Sequence, residues 1–221
     1  MARPLTLRDV DPSTVLGHLR AVDPRLGAVI TAAGPLTLIP RDRRSPFEEL
    51  FRAIVYQQLS GQAAATILAR VLAALGSGRR VPPPEQVLAT PPAVLRGAGL
   101  SEAKTRAVQD LARQRLAGVV PSLPEARRME DDELLTRLVQ VRGVGPWTVQ
   151  MFLMFGLGRL DVLPSGDLGV QKGLQRIRRL RSLPPPARVE HLGAAWAPYR
   201  TVASWYCWRA TELDTMPVPR G

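Results

Sequence analysis

The residues that most often hold metals or act as nucleophiles are scarce in this sequence. Cys207 is the only cysteine among 221 residues, which excludes an internal disulfide, a cysteine-rich zinc site and a cysteine-bound iron–sulfur cluster. His18 and His191 are the only histidines, and no HxxxH or similar spacing exists. A histidine metal site or a serine–histidine–acid triad would have to use one of those two. No apolar run approaches the ~20 residues of a membrane span. Met1-Ala2-Arg3-Pro4 lacks the apolar core of a signal peptide. The expectation is a soluble, intracellular, cytoplasmic protein without a cofactor or a side-chain metal site. Nothing demands a dimer, so a monomer is expected.

Negative charge is scarce too. Nineteen acidic residues face thirty basic ones, for a net charge of +11 and a sequence pI near 11.3. Such a balance points to a polyanion, most often nucleic acid, although an arginine-biased composition alone produces the same skew. Only Lys104 and Lys172 are lysines; arginine is the better bidentate partner for phosphate. The chain is long enough to bury one core or two small ones. Aromatic and β-branched alternation is nearly absent, so few strands are expected.

What the chain does have is helical periodicity. Ser45-Pro46-Phe47-Glu48 combines an N-cap serine, proline at the first helical position and glutamate at the third. After it Phe47, Leu50, Phe51, Ile54, Val55 and Leu59 fall on one face. Ala103, Ala107, Val108, Leu111 and Leu116 form another stripe, and Leu134, Leu135, Leu138 and Val139 a third. Asp11-Pro12 and Asp23-Pro24 look like helix starts. Gly76-Ser77-Gly78 closes a helix, and the proline clusters mark loops or helix entries. The pattern predicts an all-α chain of roughly eight to ten short helices in two lobes. A central domain would span 46–164, and residues 1–45 would pair with 165–221 to form the second.

Two stretches carry chemistry. Leu138 to Thr148, reading LVQVRGVGPWT, describes a helix, a glycine hairpin and a second helix. Glycines at alternate positions let the backbone turn tightly and approach a ligand. The N–H groups and the positive dipole end of the following helix suit a phosphate. Carbonyls in such a turn, those of Val141 and Val144, are candidates for a monovalent cation. Asp167 follows in Pro164-Ser165-Gly166-Asp167, just ahead of a predicted helix. It is read both as that helix's cap and as a carboxylate for a cationic transition state. Tyr56-Gln57-Gln58-Leu59-Ser60 interrupts an apolar helix. It is either a polar helix end or a loop that pushes Leu59 into a base stack while a glutamine probes the opposite strand. Trp147 and Trp208 fit either a core or a pocket for a flipped, cationic base. Leu95 to Leu100 echoes the hairpin weakly, and reads better as a glycine turn followed by an N-capping Ser101.

Taken together, from about residue 45 to 210, these motifs resemble the helix-hairpin-helix DNA glycosylase superfamily, and within it the 3-methyladenine DNA glycosylase II branch. Trp196-Ala197-Pro198-Tyr199-Arg200 leading to Trp208 belongs to the same likeness. The resemblance implies a two-lobed helical fold with the active site in the cleft between lobes. It implies base excision repair of alkylated bases in double-stranded DNA. Asp167 would be the catalytic residue. Trp147, Trp208, Met151 and Tyr56 would line the base pocket, and Leu59 with Gln58 would enter the stack. Arg142, Gly143, Val144, Gly145 and Thr148 would bind the DNA backbone. Members that also cut the strand carry a lysine where this chain has Trp147, which implies no lyase activity. Two departures bear on specificity: Gly166 stands where the family often has an acid, and Met151 where some members have an aromatic. The mixed α/β domain that some relatives carry ahead of the match is not expected in the residues that precede it here. A non-catalytic DNA-binding module and a mismatch or oxidised-base glycosylase are the alternative readings.

Overall fold

The computed structural model describes residues 3–41 and 43–215. In chain order its helices are α1 Pro12–Val22, α2 Pro24–Ala33, α3 Pro46–Tyr56, α4 Gly61–Ala74, α5 Pro84–Ala89, α6 Pro92–Gly97, α7 Glu102–Leu116, α8 Leu123–Arg128, α9 Asp131–Leu138, α10 Pro146–Met151, α11 Leu168–Arg178, α12 Pro186–Gly193 and α13 Arg200–Glu212. A π-helical turn, Phe152–Leu157, continues α10. Among the described residues the sole extended pairing is an isolated bridge between Thr6 and Arg159. The all-α expectation holds. Among the described residues the α-helices number thirteen rather than eight to ten, because prolines at 84, 92 and 124 start six-residue helices too short to leave a periodic stripe. No described helix is long and apolar enough to cross a membrane.

Helix starts are dictated locally. The carboxylates of Asp11 and Asp23 accept from the N–H groups of Thr14 and Leu26, with proline at the first position of each helix. Ser45 caps α3 through the Glu48 N–H, and Ser101 caps α7 through the Lys104 N–H. Ser101 therefore serves as the cap that its place ahead of α7 suggests.

The chain divides into two compact units. One takes Asp42–Phe152 with the first four residues; the other takes Leu5–Arg41 and Leu153–Gly221. The second boundary between these units falls at 152–153, whereas the sequence pattern predicts 164. The physical reason is a set of contacts far apart in sequence. The Arg41 N–H donates to the Phe155 carbonyl at 2.6 Å, and the Leu7 N–H to that of Gly158 at 2.8 Å. The Thr201 hydroxyl donates to the Arg159 carbonyl and accepts from the Val162 N–H. Residues 153–163 are held by the N-terminal segment and α13, so they belong with them.

In the first unit α7 packs on α3, α5 and α6, burying Ala107, Val108 and Leu111 against a face built from Phe47, Leu50, Phe51, Ile54 and Val55. Four residues leave their predicted stripes. Ala103 and Leu116 lie exposed near the two ends of α7, Val139 lies exposed just past α9, and Leu59 lies beyond α3 on a turn. In the second unit α11 lies against α13 so closely that a Cβ on Gly173 would sit 2.0 Å from the Cys207 carbonyl oxygen. The core gathers around fully buried Trp196 and Tyr206. The Trp196 indole N–H and the Arg178 guanidinium both donate to Asp23 Oδ2, at 2.8 and 2.6 Å.

Candidate functional site

The glycine hairpin joins α9 to α10. Gly143 adopts φ +78°, a left-handed conformation that favours glycine, and the Val144 N–H donates to the Val141 carbonyl at 3.0 Å. The side chains of Val141 and Val144 are buried and anchor the turn from beneath, while Arg142 and Gly143 stand exposed. Of the five residues predicted to meet a DNA backbone, Val144 and Thr148 have buried side chains, so their contribution is confined to the main chain. The Val141 carbonyl, one of the two predicted to hold a cation, already accepts the hairpin's own hydrogen bond. Among the described residues no group of three His, Cys, Asp or Glu side chains is placed to hold a metal.

The second element of this unit is the turn after α3. The helix stops at Tyr56, whose carbonyl accepts from the Leu59 N–H at 3.3 Å. Gln58 takes φ +57°, a conformation non-glycine residues rarely adopt. That reversal turns Leu59 out of the α3 core stripe, leaving it 38% exposed, with Tyr56 and Gln58 also at the surface. The Gln57 side-chain amide donates to the Gly143 carbonyl at 2.8 Å, so turn and hairpin touch. Trp147 and Met151 lie one helical turn apart on α10; Trp147 is 50% exposed and is not a core residue.

The second unit carries Asp167. The loop before it is braced by the Ser165 hydroxyl, which donates to Glu190 on α12 at 2.9 Å, and by the Gln171 amide on the Ser165 carbonyl. Asp167 is the N-cap of α11, and its Oδ1 accepts from the Val170 N–H at 2.8 Å. The Trp208 indole N–H donates to the same oxygen at 2.8 Å. The capping role and the proposed catalytic one thus fall on one carboxylate, fixed by two donors. The ring of Phe155 stacks on Trp208, centroids 5.7 Å apart at 20°, and the Arg41 guanidinium lies over Phe155. Gly169 makes the arrangement possible, since a Cβ there would sit 2.6 Å from the indole Cδ1. Gly166 is different: a Cβ built on it meets nothing within 4 Å, so a first side-chain carbon has room there. Arg200 positions α13 by a two-pronged ion pair with Asp161, at 2.7 and 2.8 Å, and that hydrogen bonding raises the guanidinium pKa further.

Sequence reasoning missed Lys104, Asp110, Phe155 and the duty of Gly169. Lys104 Nζ donates to the Val55 and Gln57 carbonyls, each at 2.7 Å, and Asp110 Oδ2 accepts from the Arg142 N–H at 2.8 Å. Phe155 did leave a signal, lying four residues beyond Met151 in the stripe that starts at Trp147.

The family described as HhH-GPD superfamily base excision DNA repair protein matches residues 51–198. The chain is 32% identical to an alkylbase DNA glycosidase-like protein of Schizosaccharomyces pombe, over 93% of this chain and 97% of that one. A solved 3-methyladenine DNA glycosylase from the same yeast, in complex with abasic DNA, superposes with a TM-score of 0.79 at 32% identity, covering 91% of this chain and 98% of that one. A DNA-3-methyladenine glycosidase of Bacillus halodurans superposes equally well, TM-score 0.79 at 34% identity, over 95% and 92% of the two chains.

Proposed function

The chain belongs to the HhH-GPD superfamily of base excision DNA repair proteins, and from that premise we propose that it is a monofunctional glycosylase. It hydrolyses the N-glycosidic bond of alkylated bases, of the 3-methyladenine and 7-methylguanine type, in double-stranded DNA. The observation that carries the reading is the Asp167 carboxylate, held at the start of α11 by the Trp208 and Val170 N–H groups. A helix cap alone accounts for the Val170 bond, but a DNA-binding module that performs no chemistry has no need of the Trp208 indole on the same oxygen.

The steps follow from the residues. Arginines and the hairpin backbone engage duplex phosphates. Leu59 enters the stack as the damaged nucleotide swings out, and unstacking is cheapest for a base that pairs badly. An N-alkylated purine carries positive charge, so it stacks well on the exposed face of Trp147, and it departs with the bond's electron pair without a general acid. The negative charge of Asp167 stabilises the oxocarbenium-like sugar. Water adds to the anomeric carbon and gives up a proton, leaving free base and an abasic site. Strand cleavage through a Schiff base needs an amine where this chain has Trp147, and Lys104 is spent on backbone carbonyls. The protein acts as a monomer.

The test is incubation with duplex oligonucleotides, each carrying one defined lesion: an alkylated purine, an etheno base, a deaminated base or an oxidised base. The expected result is release of the alkylated base, with a strand that breaks only on alkali treatment and no adduct trapped by borohydride. Absence of release from every alkylated duplex contradicts the reading, and a borohydride-trapped adduct contradicts its monofunctional part.

A further inference from the structure

Two exposed features of the first unit, the Leu59 turn and the glycine hairpin, are tied to one helix. α7 carries Lys104 and Asp110 six positions apart. Lys104 sends its ammonium to the carbonyls of Val55 and Gln57, the last turn of α3 and its cap. Those carbonyls lie where a helix runs out of partners of its own and where its dipole is negative. Partial burial pulls the Lys104 pKa below its ordinary value, in keeping with an ammonium that donates to backbone carbonyls. Farther along α7, Asp110 accepts the Arg142 N–H of the hairpin. Gln57, whose carbonyl Lys104 holds, closes the circuit by donating its side-chain amide to the Gly143 carbonyl. The next residue, Gln58, is the left-handed one that turns Leu59 outward.

We propose that Lys104 and Gln57 are positioning residues that couple the hairpin's hold on the DNA backbone to the insertion of Leu59, with Asp110 anchoring the hairpin to the same helix. Neither acts on the base or the sugar. Their work is to keep the Leu59 turn in one place when the hairpin is seated, so that grip and opening occur together. The inference rests on the glycosylase reading and adds to it the means by which opening is enforced.

The test separates grip from opening. A duplex carries 7-methylguanine with 2-aminopurine beside it. Anisotropy of an end label reports grip, and the rise of 2-aminopurine fluorescence reports unstacking. The variants are Leu59→Ala, Lys104→Met, Lys104→Arg and Gln57→Glu. Gln57 lies near the surface, so its substitution leaves the core intact even if Lys104→Met folds poorly. Lys104→Met and Gln57→Glu are expected to slow unstacking and base release in parallel, by about tenfold, the scale of a lost hydrogen bond. Grip should change by less than about twofold, because the hairpin keeps its Asp110 anchor. Lys104→Arg, which retains charge and donors, recovers most of the rate. Unstacking at the wild-type rate in both Lys104→Met and Gln57→Glu, alongside its loss in Leu59→Ala, overturns the proposal and leaves the glycosylase reading standing. Unstacking unchanged in Leu59→Ala overturns the insertion role of Leu59, and the proposal with it.

Discussion

Asp167, Trp208 and Gly169 form the smallest unit of the account. The carboxylate oxygen that accepts from the Val170 N–H also accepts from the indole, at 2.8 Å in each case. The indole reaches it only because residue 169 has no side chain. The sequence suggested Trp208 as a stacking surface; the structure adds a donor that orients the acid. Trp208→Phe keeps a ring against Phe155 and deletes that donor. Gly169→Ala keeps the indole and pushes it away. Both should slow single-turnover base release by about tenfold or more, the scale of a lost hydrogen bond to a charged group, ~1.5–3 kcal/mol. KM should move little, because neither change touches the hairpin. Wild-type rates in both variants would show that the indole does not orient the acid.

Among the elements, the pair α11 and α13 is the most demanding. Asp167 heads α11 and Trp208 lies on α13, so their hydrogen bond depends on how closely these helices approach. Gly173 sets that approach by letting the Cys207 backbone come within a distance that no Cβ allows. Gly173→Ala must push the helices apart, at a cost of about 1–3 kcal/mol or more. A thermal melt should show Tm falling by several degrees, about 2–4 °C per kcal/mol for a domain of this size; an unchanged Tm would contradict the packing described. Helix starts were legible in the sequence because a cap is a local event: Asp11, Asp23, Ser45 and Ser101 each bond an N–H three residues on. Lys104 and Asp110 were not, because a polar residue on a helix looks solvated until its distant partner is known. Leu59 kept the spacing of a core residue, and only the left-handed Gln58 took it off that face. Phe155 kept its place in the stripe from Trp147, but its stacking on Trp208 was not legible, because that partner lies far along the chain.

For the molecule as a whole, a net charge of +11 with almost no lysine points to a polyanionic partner, and the ordered motifs foretold the fold family. The division near 152 was hidden, since it depends on main-chain bonds between Arg41 and Phe155 and between Leu7 and Gly158. On the proposed reading that division separates two duties. The hairpin and the Leu59 turn lie in one unit, and the acid with its donors in the other. Binding and chemistry should therefore fail independently. The most direct measurement compares wild type with Asp167→Asn on one duplex containing 7-methylguanine, following DNA affinity and single-turnover base release together. The account predicts affinity within about twofold of wild type and release slowed by at least about a hundredfold, the scale of a lost electrostatic contact to a charged transition state. Release at the wild-type rate by Asp167→Asn would contradict it.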